Sequence, residues 1–195
     1  MVQINFLQNI NEAFKFRAIN FFLKKRIDMT EITFKSSPMH TSGDLPQVGA
    51  KAPDFLLVDK ELQEHSLKDF HGKRKILSIV PGLDTAVCSL SAKKFNEAIK
   101  KHPEIQVLVI SADSPFAQKR VCVEGDLKNI TTLSLIRSKD FAKSYGVLIQ
   151  DGPLAGFCAR AVVVLDEHDR VLYTELVSEI THEPNYEKAL QAALR

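Results

Sequence analysis

The chain has 195 residues, enough for one domain with a substantial core, and its 45% hydrophobic and 26% charged content is that of an ordinary globular protein. A net charge of +2 gives no basis for nucleic-acid binding, and the surplus is local: residues 1–28 carry five basic and two acidic side chains, the remainder 21 basic and 22 acidic. Three cysteines, none at C-x-x-C spacing, exclude a disulfide-stapled secreted scaffold and a local zinc motif, so individually reactive thiols in a reducing, cytoplasmic setting are the simplest reading.

Residues 1–28 contain no apolar run near the roughly 20 residues of a membrane span, and no small-x-small cleavage site follows them. Leu7, Ile10, Phe14, Ala18 and Phe21 recur at helical spacing between basic residues, which admits a surface-seeking helix. The favoured reading is a poorly ordered, dispensable extension, with the domain proper at 29–195. There Glu31–Lys35 alternates as a strand, with Ser37–Gly43 as its hairpin partner. Asp54–Val58 reads as a strand, Leu67–Phe70 as a helical turn, and Lys75–Val80 as a compact apolar strand ending at Pro81. From Thr85 a helix presents Val87, Ser91, Phe95 and Ile99 on one face. Ile105–Ser111 is an apolar strand of the buried, parallel type, followed by a helix over Ser114–Val123. A weak strand at Thr131–Leu133, a short helix at Ser138–Tyr145, a hairpin of Phe157–Leu165 with Val171–Val177, and a last helix at Tyr186–Leu194 complete the pattern. That order predicts a mixed α/β sheet with helices on both faces.

The segment Pro81-Gly-Leu-Asp-Thr-Ala-Val-Cys88 joins a buried strand to a helix. Cys88 therefore falls in the first helical turn, where free N–H groups and the positive end of the helix dipole favour an anion. A generic thiol whose pKa falls from ~8.5 to ~6 gains only about thirtyfold in thiolate at neutral pH, and loses some nucleophilicity in doing so. Fast chemistry at a thiolate also needs fixed donors for the charge that shifts onto a leaving group. Thr85, three residues earlier, puts its hydroxyl on the side of the sulfur, and Pro81, lacking an N–H, shapes and dries the pocket.

The pattern P-x-x-x-T-x-x-C resembles the active-site motif of the peroxiredoxins. The string Asp84-Thr-Ala-Val-Cys88, followed by Ser91 and Phe95-Asn96, is similar to the thiol peroxidase subfamily of atypical two-cysteine peroxiredoxins. Gly49-Ala-Lys-Ala-Pro-Asp-Phe55, Ile110-Ser-Ala-Asp113, Pro115-Phe-Ala-Gln118, Gly152-Pro-Leu-Ala-Gly156, Ala159-Arg-Ala-Val162 and Glu179-Ile-Thr-His-Glu-Pro184 resemble the same subfamily, in order, over nearly all of the chain beyond Met29. The resemblance implies a thioredoxin-like fold and the reduction of hydrogen peroxide and organic hydroperoxides. It makes Cys88 the peroxidatic thiol and Arg160 the arginine that holds the thiolate and the peroxide oxygen. It makes Cys122, 34 residues after Cys88, the resolving thiol of a Cys88–Cys122 disulfide. The flank of Cys122 departs from the family's usual Phe before the cysteine and Gly-Ala-Glu-Gly after it, which bears on how easily the disulfide closes. The two thiols are expected on helices at opposite sides of a sheet crossing, so that both helix ends unwind before the bond forms. The resemblance further implies thioredoxin as external reductant, no bound cofactor or metal, and a homodimer.

Cys158 lies two residues before Arg160, and on a regular strand both would point to one face. It is expected to be a packed, inert thiol, with a competing redox role as the alternative. Two other functions stay open from the residues alone: a redox-sensing or holdase protein whose thiols switch a surface, and a cysteine hydrolase, for which no histidine base is designated near Cys88.

Overall fold

The computed structural model describes residues 29–195. The expected N-terminal extension lies outside the described residues. A two-stranded hairpin, β1 (Glu31–Phe34) and β2 (Ser37–His40), precedes the main sheet. Its turn residues Lys35 and Ser36 both have positive φ, 50° and 66°, as a tight two-residue hairpin turn requires. The seven-stranded sheet has the order β4-β3-β7-β6-β5-β8-β9, built from β3 (Leu56–Asp59), β4 (Glu64–Ser66), β5 (Arg74–Ile79), β6 (Ile105–Ser111), β7 (Ile130–Ser134), β8 (Ala161–Leu165) and β9 (Val171–Leu176). The β5–β6 and β6–β7 pairs are parallel and the others antiparallel, so the sheet is mixed as expected.

Among the described residues four α-helices complete the fold: α1 (Ala86–Ala98), α2 (Pro115–Glu124), α3 (Asp140–Ser144) and α4 (Tyr186–Leu194). The central strands are buried on both sides and sort their side chains by alternation. Leu108 and Ile110 of β6 join Leu77, Ile79 and Phe141 in one cluster; Val107 and Val109 join Ile76, Phe95 and Ala189 in the other. Residues of α1, α2 and α4 pack in the second cluster and those of α3 in the first. Helices therefore cover both faces, but α1 and α2, which carry Cys88 and Cys122, stand on the same face, α1 against β6 and β7 and α2 against β7. Each large aliphatic side chain so buried contributes about 1.5–3 kcal/mol. No described helix is long and apolar enough to cross a membrane.

The expected face of α1 holds at Ser91, Phe95 and Ile99, while Val87 is only half-buried and Cys88, Ala92 and Asn96 widen the buried stripe. Strand β4 went unpredicted because Glu64-His-Ser66 has no apolar period to read. The expected strand over Phe157–Leu165 begins only at Ala161. Cys158 makes an isolated bridge to Leu148, and the chain is irregular up to Arg160.

Candidate active site

Strand β5 delivers the chain at its C-terminal end to Pro81, beside the end of β6, and α1 starts from there. The loop is held from the next strand: the Asp113 carboxylate just beyond β6 accepts from the Leu83 N–H at 2.6 Å and from the Ser111 hydroxyl at 2.7 Å. Thr85 is the N-cap of α1, with extended backbone (φ −81°, ψ 153°), yet its hydroxyl makes no capping bond. A capping threonine ordinarily accepts from the N–H of the third helical residue. Here that residue is Cys88, and the Thr85 hydroxyl instead donates to its sulfur at 2.8 Å.

Arg160 reaches the same sulfur from the segment before β8. Its Nη2 donates to Cys88 Sγ at 3.4 Å and its Nε to the Ile180 carbonyl at 2.9 Å. The guanidinium is buried (Arg160 is 2% exposed), and Nη1 has no hydrogen-bond partner among the described residues. The sulfur thus accepts from a neutral hydroxyl and from a cationic guanidinium together. Thr85 and Arg160 also line a cavity of about 430 Å³ with Pro81, Val87, Leu154, Phe157 and Ile180. Its apolar walls thus end on the two groups that touch the sulfur. Cys88 itself has no exposed surface. A larger cavity of about 580 Å³, over Asp54, Arg137 and Ser144, is lined by none of the three cysteines.

The Arg160 loop is braced by the hairpin, through residues that sequence reasoning quoted without a role. The Ile180 N–H donates to the Thr33 carbonyl at 2.9 Å, and the Thr33 N–H to the Ser178 carbonyl at 2.6 Å. The Glu179 carboxylate accepts from the Thr181 hydroxyl, the Thr33 hydroxyl and the N–H groups of Lys35 and Ser36. Led by the Thr181 hydroxyl, these donors hold Glu179 well below the usual carboxylate range. One turn into α1 beyond Cys88, Ser91 bonds Tyr186 OH at 2.8 Å, and Tyr186 donates to Glu183 at 2.7 Å. Lys94 donates to the same Glu183 oxygen at 2.6 Å, and with Tyr186 holds its carboxyl below the usual range.

Pro81, Thr85, Cys88 and Arg160 thus come together as expected, while Cys122 stands apart. It is 5% exposed, near the C-terminal end of α2, and its Sγ lies 3.7 Å from the Thr132 hydroxyl of β7. Cys88 is the third residue of α1 and Cys122 the eighth of α2, so the two buried thiols sit at opposite ends of their helices. All three cysteines are free. Cys158 does not share the face of Arg160, contrary to the strand-based expectation. It packs in the opposite cluster with Leu148 and Ala159, because the regular alternation starts only after Arg160. Burial pushes its thiol up to about 12, which removes the thiolate at neutral pH. Among the described residues no group of three His, Cys, Asp or Glu side chains is placed to hold a metal ion.

Residues 47–190 match the family described as Redoxin. A thiol peroxidase of Leptospira interrogans is 50% identical over 167 residues, covering 85% of this chain and 98% of that protein. Among solved structures, a peroxiredoxin-like protein from Aquifex aeolicus superposes with a TM-score of 0.80 at 40% identity, over 85% of this chain and 97% of the other. A thiol peroxidase from Chromobacterium violaceum gives 0.77 at 29% identity, over 83% and 95%. With a thioredoxin-like mixed sheet, a buried cysteine held by two donors and this kinship over nearly the whole described length, the chain belongs to the redoxin family as a thiol-dependent peroxidase of the peroxiredoxin type.

Proposed function

We propose that Cys88 is the peroxidatic nucleophile, that Cys122 resolves it, and that hydrogen peroxide and organic hydroperoxides are the substrates. The observation that carries this reading is the convergence of Thr85 Oγ1 and Arg160 Nη2 on one sulfur, with Arg160 Nη1 left unpaired among the described residues. The peroxide enters the cavity between Pro81, Val87 and Phe157, and the thiolate attacks its terminal oxygen. The S–O bond forms as the O–O bond breaks, and the electron pair goes to the departing alkoxide or hydroxide. Arg160 and Thr85 stabilise that charge, and a proton from solvent completes the alcohol or water. Pro81 walls the cavity without offering an N–H that would compete for the peroxide.

Cys88 is left as a sulfenic acid, two electrons more oxidised. Condensation with the Cys122 thiol releases water and gives the disulfide. A disulfide needs Cα atoms within about 7 Å, and both thiols are free and buried on separate helices, so the ends of α1 and α2 unwind locally first. Thioredoxin or a similar dithiol restores both thiols, and no bound cofactor takes part. Three free thiols suit a reducing cytoplasmic setting. The homodimer common in the subfamily has apolar material to draw on: Phe116 and Val123, seven residues apart on α2, are 68% and 75% exposed.

The test is peptide mass mapping after peroxide treatment, run beside NADPH-coupled turnover with thioredoxin and its reductase. Wild type should yield a Cys88–Cys122 bridge and multiple turnovers, and Cys122→Ser a persistent Cys88 sulfenate. A single stoichiometric oxidation without turnover would favour a sensor instead.

A further inference from the structure

A buried amide that the peroxidase chemistry does not use links the two thiol-bearing elements. Gln118 has no exposed surface and lies on α2 one turn before Cys122, so both face the sheet. Its Nε2 donates to the Ser111 hydroxyl of β6 at 2.9 Å and to the Leu133 carbonyl of β7 at 3.0 Å. A carbonyl can only accept, which fixes the amide orientation and leaves Oε1 without a partner among the described residues. An apolar side chain would fill this place without stranding an acceptor, so the amide's donors are the reason for it. Ser111 in turn donates to Asp113, and Asp113 accepts from the Leu83 N–H in the loop before Cys88. The chain Gln118–Ser111–Asp113–Leu83 runs from the helix of one thiol to the loop of the other.

The hold on α2 is uneven along its length. Gln118 makes two bonds of normal length to the sheet, whereas Cys122 has only a weak thiol contact to Thr132 at 3.7 Å. Beyond Cys122 the helix ends on the bonds Gly125 N–H to Val121 carbonyl and Leu127 N–H to Cys122 carbonyl, with Val123 and Glu124 exposed. Unwinding therefore starts at this end and meets its first firm anchor at Gln118. We propose that Gln118 is a positioning residue with two effects: it stops the unwinding of α2 there, and through Ser111 and Asp113 it keeps the Cys88 loop in place while Cys122 moves. This rests on the reading of Cys122 as the resolving thiol.

Gln118→Met keeps the length of the side chain and removes its donors, and Ser111→Ala cuts the link to Asp113 but leaves the bond to Leu133. Stopped-flow fluorescence with separate sulfenate trapping resolves the two steps. In Gln118→Met, sulfenate formation should slow about three- to tenfold and disulfide closure should accelerate at least about threefold. In Ser111→Ala, only the first step should slow. A general loosening of the fold would slow both steps or neither, so either pattern in Gln118→Met overturns the proposal, as does a first step at the wild-type rate in Ser111→Ala. Hydrogen exchange on wild type needs no variant: the disulfide form should lose protection beyond Gln118 and keep it at the Gln118 amide, which donates to the Ser114 carbonyl at 3.0 Å. Lost protection at Gln118 overturns the stop. Absence of a Cys88–Cys122 peptide in oxidised wild type would remove the resolving role and the stop with it, while the first-step rates of both variants would still decide the tie to the Leu83 loop.

Discussion

Replacing Thr85 by Val deletes one hydroxyl and keeps the β-branched shape. In most helices such a change at the N-cap costs about 1 kcal/mol of stability, because a capping bond is lost. Thr85 makes no such bond, so Tm should stay within about 2 °C of wild type. What is lost is the 2.8 Å bond to Cys88 Sγ. A hydrogen bond to a charged group contributes about 1.5–3 kcal/mol. The hydroxyl bonds the resting sulfur as well, and only the part that strengthens in the transition state enters the chemical step. If that part is half, about 0.75–1.5 kcal/mol, the second-order rate constant falls about four- to twelvefold. Stopped-flow mixing with peroxide measures it directly, and Thr85→Ser, which restores the donor, should recover most of the rate. A loss below about twofold in Thr85→Val, or one that tracks a fall in Tm, would refute the argument that the hydroxyl acts on the sulfur.

Two further changes probe the supports. Glu179→Gln weakens the clamp between hairpin and Arg160 loop, and turnover should fall about two- to fivefold through misplacement of Arg160. Because the Glu179 carboxyl lies below its unfolded value of ~4.3, the clamp stabilises the fold above that pH and is lost as the pH falls. The wild-type Tm should therefore drop more steeply than that of Glu179→Gln below about pH 4.3, and parallel melting curves would count against the clamp. Lys75, with no exposed surface, pairs with Asp169 at 2.6 Å at the opposite end of β5 from Pro81. Lys75→Met leaves that carboxylate with only the exposed His71 at 3.4 Å and should cost about 3–5 kcal/mol in urea unfolding, with part regained in Lys75→Met/Asp169→Asn and peroxide kinetics unchanged.

The sequence was most legible where chemistry and local periodicity coincide. Ile105–Ser111 and Tyr186–Leu194 were delimited to the residue, and the three-residue step from Thr85 to Cys88 foretold their hydrogen bond. Arg160 came only from family resemblance, since 72 residues separate it from Cys88 and no spacing rule spans that distance. Cys158 was misdirected because two-residue alternation holds only inside a strand, and its segment is not yet one. The Glu179 clamp and the Gln118 chain were illegible for a different reason. Their long-range partners are main-chain groups and the hydroxyls of Thr33 and Ser111 brought close by the fold, which leave no mark of residue type at a fixed offset.

The brace between Thr33 and Ile180 also orders events in time. Translation releases Cys88 near the middle of the chain, while Arg160 and the loop that holds it leave the ribosome among the last residues. Until then the nascent Cys88 lacks its guanidinium donor. Both donors can meet the sulfur only once Thr33 of the hairpin has closed on Ile180, more than 140 residues later.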